Sequence, residues 1–480
     1  PPADVIVGNP PFLGGTKKRG ELGDAYFEAL ANCYGRRVPP GADLVCYWFE
    51  KSRAQIEAKK LQAAGLVATN SIRQQANRKV LDRIVETTRI FEAWSDEPWV
   101  NEGAAVRVSL VGFGPFFGVD RSARLDGIRV QNIYSDLRTG NNLTSAKKLH
   151  ENAGASFFGV ALAGNFTVDQ CTAEKWFSLP NPNGRPNADV VRPLWNGMDL
   201  TSRWEGRWVI DFGPSMGEME ASLFEAPFYH VLNEVKPVRL TNNRRARAEK
   251  WWRHGEARPA MRGALAGLNR YIATSEKSKH RFFVWMHRGI TADNRLIVIA
   301  RNDDATFGIL SSRIHVVWAL AVGSTLEDRP AYATNTCFET FPFPAGLTPS
   351  DTAPGAGQAS SPCLAGEVVA ANIAAAARRV NELRETWLNP PEWVDWVITP
   401  EEEKAGFPKR SVAKFGHEAD LKKRTLTALY NARPAWLDLA HKALDAAVAA
   451  AYGWTDYTPE MPDDEILRRL LALNLERAQA

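Results

Sequence analysis

Apolar and polar positions change their rhythm twice along this chain. Up to about residue 133, short apolar runs alternate with helical periodicity. Val5-Ile6-Val7-Gly8, Leu66-Val67-Ala68-Thr69 and the alternating stretch 106–113 have the spacing of strands, while Leu44, Tyr47, Trp48 and Ile56 recur on one helical face. This pattern predicts a strand at 5–8, then a helix that starts near Asp43, with Asp43 as its cap, and ends at Gly65. A strand at 66–69, a helix around 77–86 and strands at 89–94 and 106–113 follow. Two strands in succession at the end of an α/β unit predict an antiparallel hairpin at the sheet edge.

From Asn141 the runs shorten and turn residues multiply. Strands are expected at 156–160, 165–168, 207–212, 281–285, 295–300 and 307–310, and helical pieces near 220–235, 244–254 and 312–322. The Pro/Gly/Ser/Ala stretch 345–362 reads as a linker or surface loop. Beyond it, helical spacing predicts helices at 367–388, 420–431, 434–451 and 463–477, with Asn389-Pro390-Pro391-Glu392 as a helix stop. The expected organisation is three parts, 1–133, 134–344 and 345–480, without an internal repeat.

Composition narrows the class. A chain of 480 residues with 45% apolar and 24% charged positions can bury two or three domain cores. No run reaches the roughly 18 apolar residues of a membrane span. Five scattered cysteines without a Cys-x-x-Cys argue for a reducing cytoplasm and against a disulfide framework or zinc site, and no His-x-x-x-His pair suggests a metal centre. The net charge of +4 is unevenly placed. Between Lys236 and Arg262, nine Lys/Arg face two Glu, a local +7 that leaves −3 for the rest of the chain. Such a stretch is either a polyanion site or a solvated helix face. The chain opens on Pro1 rather than Met and enters an apolar strand almost at once, which reads as a fragment whose upstream half is lost or omitted.

The chemistry-bearing segment is Asn9-Pro10-Pro11-Phe12, directly after the first strand. The prolines force a rigid, extended loop at the carboxyl end of a strand, where open α/β sheets bind ligands. The Asn9 side-chain carbonyl and the Pro10 backbone carbonyl can each accept one N–H of a planar amine. Pro11 fixes the turn, and Phe12 offers a face for stacking. This segment resembles the catalytic motif of S-adenosylmethionine-dependent DNA adenine-N6 methyltransferases. A cytosine-N4 enzyme would more typically carry Ser in place of Asn9.

Further stretches, in order, make the resemblance more specific: Asn-Pro-Pro-Phe-Leu-Gly-Gly at 9–15, Gly-Leu-Val-Ala-Thr-Asn-Ser-Ile at 65–72, Ser-Phe-Phe-Gly at 156–159, and Val-Arg-Pro-Leu-Trp-Asn-Gly-Met-Asp-Leu at 191–200. Then come Trp251-Trp252 with Arg258-Pro259, Ser-Lys-His-Arg at 278–281, Leu-Ser-Ser-Arg-Ile-His at 310–315, and Cys-Phe-Glu-Thr-Phe-Pro-Phe-Pro at 337–344. Together they are similar to the MmeI-like (type IIL) restriction–modification methyltransferases. The resemblance implies the C-terminal half of a class I (Rossmann-like) methyltransferase domain, a mixed α/β target-recognition domain and a helical tail. It also implies S-adenosyl-L-methionine as cofactor and double-stranded DNA as partner, with Asn9, Pro10, Pro11 and Phe12 catalytic and the target base flipped out of the duplex.

In that family a glycine-rich cofactor loop precedes the Asn-Pro-Pro motif, so the cofactor residues are expected upstream of this chain, with Asn9 adjacent to them. Gly355-Ala356-Gly357 has no strand before it and is rejected as that loop, and Asp211-Phe212-Gly213 matches a kinase triplet by accident. The family's amino-terminal nuclease has no counterpart here. For DNA, Arg244, Arg245, Arg247, Lys250 and Arg253 are the expected phosphate contacts, and Lys279 and Arg281 are further expected DNA-binding residues. Base readout is looked for in Glu327-Asp328-Arg329 and Thr334-Asn335, because Arg329 and Asn335 have the bidentate geometry for guanine and adenine. Trp251 and Trp252 are expected to pack beneath the basic face rather than to stack on bases. Two other readings stay open: a DNA-binding specificity module without catalysis, and a protein-glutamine methyltransferase with a similar motif.

Overall fold

The structure is a computed structural model that describes residues 3–101, 104–115, 122–241, 245–326, 329–353 and 364–479. The chain divides into two compact units, Pro1–Ala146 and Lys147–Ala480.

The first unit is built on β1 (Val5–Gly8), α1 (Lys18–Leu22), α2 (Asp24–Tyr34), α3 (Cys46–Glu57), β2 (Ala63–Thr69), α4 (Gln75–Thr87), β3 (Arg89–Asn101), β4 (Ala104–Gly114), β5 (Ala123–Leu125) and β6 (Ile128–Val130). Its sheet has the order β1-β2-β4-β3-β5-β6. β1 and β2 are parallel, with Val5 opposite Ala63 and Gly8 opposite Leu66. β4 runs antiparallel to both β2 and β3, so the expected hairpin exists. It is not at the edge, because β5 pairs with β3 and extends the sheet. β1 stands at the other end of the order, with Val5 52% and Val7 83% exposed.

Helices α3 and α4 supply Phe49, Ile56, Val80, Leu81 and Ile84 to a core completed by Leu66 and Ala68 of β2 and Val111 and Phe113 of β4. Each of the Val, Leu, Ile and Phe side chains contributes roughly 1.5–3 kcal/mol on burial. Two boundaries differ from the sequence reading. Asp43 does not cap α3: the helix starts at Cys46, and no side chain caps it. Gly65 does not end it either. The chain leaves the helix after Glu57 and turns at Lys59, which has φ 57°, and Gly65 lies inside β2 opposite Gly112.

The second unit holds two four-stranded sheets. One has the order β13-β9-β10-β8 and the other β12-β11-β14-β7. Their strands are β7 (Ser156–Phe158), β8 (Thr167–Val168), β9 (Val191–Trp195), β10 (Trp208–Ile210), β11 (Arg270–Ser275), β12 (Val284–His287), β13 (Thr291–Ala292) and β14 (Leu296–Ile299). The strand expected at 307–310 is instead part of a helix, Asp304–Ser311. Every residue from Ala305 to Ser311 is buried, so the segment shows no amphipathic period, and only the Asp303 cap, which accepts from the Thr306 N–H, marks its start. The helix expected at 420–431 is two, Glu418–Lys423 and Leu426–Ala432, with Thr425 capping the second. A hairpin, Val394–Val397 with Arg410–Ala413, interrupts the tail where none was expected.

The C-terminal helices pack into this unit. A Cβ on Gly308 would lie 2.7 Å from Ile373, 3.0 Å from Ala377 and 3.2 Å from Leu444, so helices Leu364–Leu388 and Ala435–Ala451 meet Asp304–Ser311 at van der Waals distance. Asn474 of the last helix is fully buried and bonds Lys147 N–H and O and Thr340 O. Leu388 ends its helix, as the following Asn-Pro-Pro predicts. Of the supposed linker, residues 345–353 are anchored, for example by the Arg301 guanidinium on Pro349 O and by Ser350 N–H on Glu151 O. The remainder, including Gly355-Ala356-Gly357, lies outside the described residues. Among the described residues no single helix is long and apolar enough to cross a membrane, and no group of three or more His, Cys, Asp or Glu is placed to hold a metal ion.

Candidate active site and nucleic-acid interface

The loop after β1 and the loop after β2 emerge side by side, because the two strands are parallel neighbours in register. Asn9 is exposed and takes no hydrogen bond among the described residues; Pro10 is buried and Phe12 half-buried. The next residues tie this loop down. Leu44 N–H donates to Leu13 O at 2.8 Å, and Gly15 N–H to Asp43 Oδ1 at 2.7 Å. Gly15 lies against the Gly41 backbone so closely that no Cβ would fit. Lys18 is fully buried, with Nζ donating to Pro40 O at 3.0 Å and lying 4.8 Å from the Tyr47 ring centre. Burial pulls its ammonium below the usual value, while Cys46 and Asp43 act in the opposite sense.

Asp43, read from sequence as a helix cap, is the hub of this corner. Its Oδ2 accepts from Ser71 Oγ at 2.9 Å, in the loop after β2, and from Asn77 Nδ2 at 2.7 Å, in α4. Its own N–H donates to Asn77 Oδ1 at 2.8 Å. On the far side of the β2 loop, Asp96 accepts from Asn70 Nδ2 at 2.9 Å and from Arg107 Nε at 2.6 Å. Burial raises the Asp96 carboxyl, but the bonds from Arg107 and Asn70 outweigh it and hold the group below the ordinary carboxylate value. Sequence reasoning missed Asp43, Ser71, Asn77 and Asp96 as members of the site. The available signal was Asn70-Ser71 at the carboxyl end of a strand that parallels the motif strand.

In the second unit most family-like stretches prove to be scaffold. Asn196 and Asp199 form a capping box, and Asp199 also binds Arg207 at 2.7 Å. Phe338, Phe341 and Phe343 are fully buried, and Asn152 Nδ2 donates to the carbonyls of residues 338, 339 and 341. His315 is buried against Tyr332 and Phe341. Trp251 and Trp252 are core residues, as expected, with Trp252 Nε1 donating to Met216 O.

The basic residues divide sharply. Arg245, with its side chain 91% exposed, and exposed Lys250 are accessible; Arg247 is half-buried. Arg244 lies outside the described residues, as do Glu327 and Asp328. Arg253 is not placed as a phosphate contact: its guanidinium donates to the carbonyls of Pro214, Ser215 and Met216. Arg281 is buried, bonding Thr274 Oγ1, Ser275 O and Pro330 O, and burial lowers its pKa to about 10, so it stays charged. Within the basic stretch Arg239 bonds Leu162 and Ala163 carbonyls. Arg262 binds buried Asp211 at 2.7 Å. Burial pushes that carboxyl up, but His254 and Arg262 bring it down to about 2. A guanidinium drawn wholly or partly out of water needs acceptors, and these took backbone carbonyls and a carboxylate from their own fold.

Arg281 nevertheless organises candidate readers. Its bond to Pro330 O, with the Ser278 N–H on the same carbonyl and the Lys277–Ala331 bridge, sets segment 276–281 beside strand Arg329–Ala331. Exposed Lys279 and Arg329 therefore stand on adjoining segments, and exposed Asn335 follows just before the buried Phe338 knot.

The sheet order, the pinned loop at the carboxyl end of β1 and the second unit with its exposed basic and amide side chains fit a methyltransferase-type α/β domain joined to a recognition domain. Comparison with known proteins agrees: residues 3–124 match the description "MmeI, DNA-methyltransferase domain" and residues 165–345 "MmeI, target recognition domain". The chain belongs to the MmeI-like family. It is 24% identical over 510 residues to DNA methyltransferase A of Bacillus subtilis (strain 168), covering 98% of this chain and 48% of that protein. It also superposes on the structure of the type IIL restriction–modification enzyme MmeI in complex with DNA, with a TM-score of 0.71 at 20% identity, over 99% of this chain and 57% of that one. The chain thus spans about half the length of the relatives it matches.

Proposed function

We propose that this chain carries the methyl-acceptor side and the sequence-reading domain of a site-specific DNA methyltransferase in a restriction–modification system, with N6 of a flipped adenine as the acceptor. The observation that carries the reading is the exposed Asn9 side chain, followed in sequence by Pro10, on a loop pinned at the carboxyl end of β1. Adenine N6 is a poor nucleophile because its lone pair is spread into the ring. Two acceptors favour a pyramidal amine and stabilise the positive charge that develops on nitrogen. No strong base is required, since the proton can leave after the methyl arrives. Flipping the base costs a few kcal/mol, and stacking on Phe12 returns roughly 1–3 kcal/mol.

S-adenosyl-L-methionine, the methyl donor the family implies, would supply an electrophilic methyl group. The described residues fit the acceptor and not the donor: among them no glycine-rich strand–turn–helix with a ribose-binding carboxylate accompanies the acceptor loop. Arg245, Arg247, Lys250 and Lys279 are the proposed phosphate contacts, and Arg329 and Asn335 the proposed base readers. The recognition-domain match favours DNA over a protein side-chain amide as substrate. The test is nucleoside mass spectrometry of duplex DNA incubated with the intact protein and the labelled methyl donor. N6-methyladenine at one sequence is the expected product. N4-methylcytosine, methylated protein, or specific binding without transfer would overturn the assignment.

A further inference from the structure

We propose that Asp43 is a positioning residue that locks the acceptor loop to the loop after β2, so that Asn9 and Pro10 are held in one geometry when the substrate amine arrives. The inference rests on the proposed acceptor role of the Asn9 loop. One carboxylate takes a hydrogen bond from each of three separate segments: Gly15 N–H at 2.7 Å beyond the motif, Ser71 Oγ at 2.9 Å beyond β2, and Asn77 Nδ2 at 2.7 Å in α4. Asn77 returns a bond by accepting the Asp43 N–H at 2.8 Å, and its amide also reaches Ser71 Oγ at 3.1 Å. Leu44, next in the chain, adds its N–H to Leu13 O. Short bonds to an ionised acceptor are roughly twice as strong as neutral ones, and Ser71 and Asn77 point their donors at one oxygen. Asp43 therefore acts on Asn9 and Pro10 through the loop it holds.

The hydrogen-bond directions give a decisive test. Asp43→Asn keeps an acceptor for Gly15 but sets an amide donor against the donors of Ser71 and Asn77. The double variant Asp43→Asn/Asn77→Asp reverses that pair: the two backbone N–H bonds are kept, and the side-chain bonds among residues 43, 71 and 77 can re-form with donor and acceptor exchanged. In the intact protein, Asp43→Asn should lower kcat by roughly 10–100-fold, as expected for an ångström-scale misplacement, with KM for DNA changed less than about 3-fold. The double variant should restore kcat to within about 3-fold. Ser71→Ala, the milder lesion, should lose a few-fold in kcat alone. Amide hydrogen exchange at residues 13–17 should speed up in Asp43→Asn and return to normal in the double variant. An Asp43→Asn enzyme with normal kcat and exchange, or a double variant no better than the single one, would overturn the proposal. If the wild type methylates nothing yet its exchange pattern follows this order, the acceptor assignment fails and the clamp stands.

Discussion

Replacing Gly15 by alanine would bring a methyl group to 2.8 Å from the carbonyl carbon of Gly41 and closer still to its oxygen. Carbon–carbon contacts are comfortable at about 3.5–4.0 Å, so one of the two backbones must move by roughly an ångström. Neither can do so freely. Gly15 N–H is bonded to Asp43 Oδ1, and on the other side Lys18 Nζ holds Pro40 O. Overpacking of this kind costs about 1–3 kcal/mol, and losing a hydrogen bond to a charged acceptor about 1.5–3 kcal/mol. The sum, roughly 2.5–6 kcal/mol, is a large fraction of a typical domain stability of about 5–15 kcal/mol. For a unit of this size each kcal/mol lowers Tm by roughly 2–4 °C. Gly15→Ala should therefore melt about 5–24 °C lower by calorimetry and, because the displaced loop carries Asn9, turn over on the order of 100-fold more slowly. A variant with wild-type Tm and turnover would refute the claim that the Gly15–Gly41 approach fixes the acceptor loop.

Other substitutions probe the two units separately. Asn9→Ala should abolish methyl transfer while leaving specific DNA binding within a few-fold, measured by turnover and by fluorescence anisotropy; near-normal turnover removes Asn9 from the acceptor role. Changing Arg245, Arg247 and Lys250 together to Gln should weaken binding to every DNA sequence and reduce the log–log salt slope by about 0.9 per lost contact. Arg281→Gln should instead lower stability and blur sequence preference at nearly constant slope, and a slope change there would make Arg281 a phosphate contact. Asp445 is buried, and burial pushes its carboxyl up to about 6, against the Arg313 N–H and side chain. Because the folded value lies above the ordinary 3.8, the folded state holds the extra proton between them. Stability from this group is full below about pH 4 and is lost as pH rises toward 6. Asp445→Asn should gain about 1–3 kcal/mol at pH 7 and nothing at pH 4 in urea titrations; an equal gain at both values would refute the burial argument.

Local pattern carried the first unit far. The run Val5–Gly8, the stretch ending at Thr69 and the alternating 106–113 segment are read correctly as strands; burial alternates with period two along β2, while β1 alternates only between exposed and half-buried positions. The rigid Asn9–Phe12 loop follows from proline geometry alone. The tail helices that start at Ala435 and Asp463 were legible from their helical spacing. Helix Asp304–Ser311 was not, since a segment buried on all sides has no period to read. Only tertiary structure decided what the charges do. Arg239, Arg253, Arg262 and Arg281 look in sequence like further members of a basic surface, yet each found acceptors in a distant part of its own fold. Asp43 had the sequence signature of a helix cap, and its real partners, Gly15, Ser71 and Asn77, lie 28, 28 and 34 residues away. A side chain's hydrogen-bond partners depend on which strands become neighbours, and that is fixed by sheet order and burial rather than by local spacing.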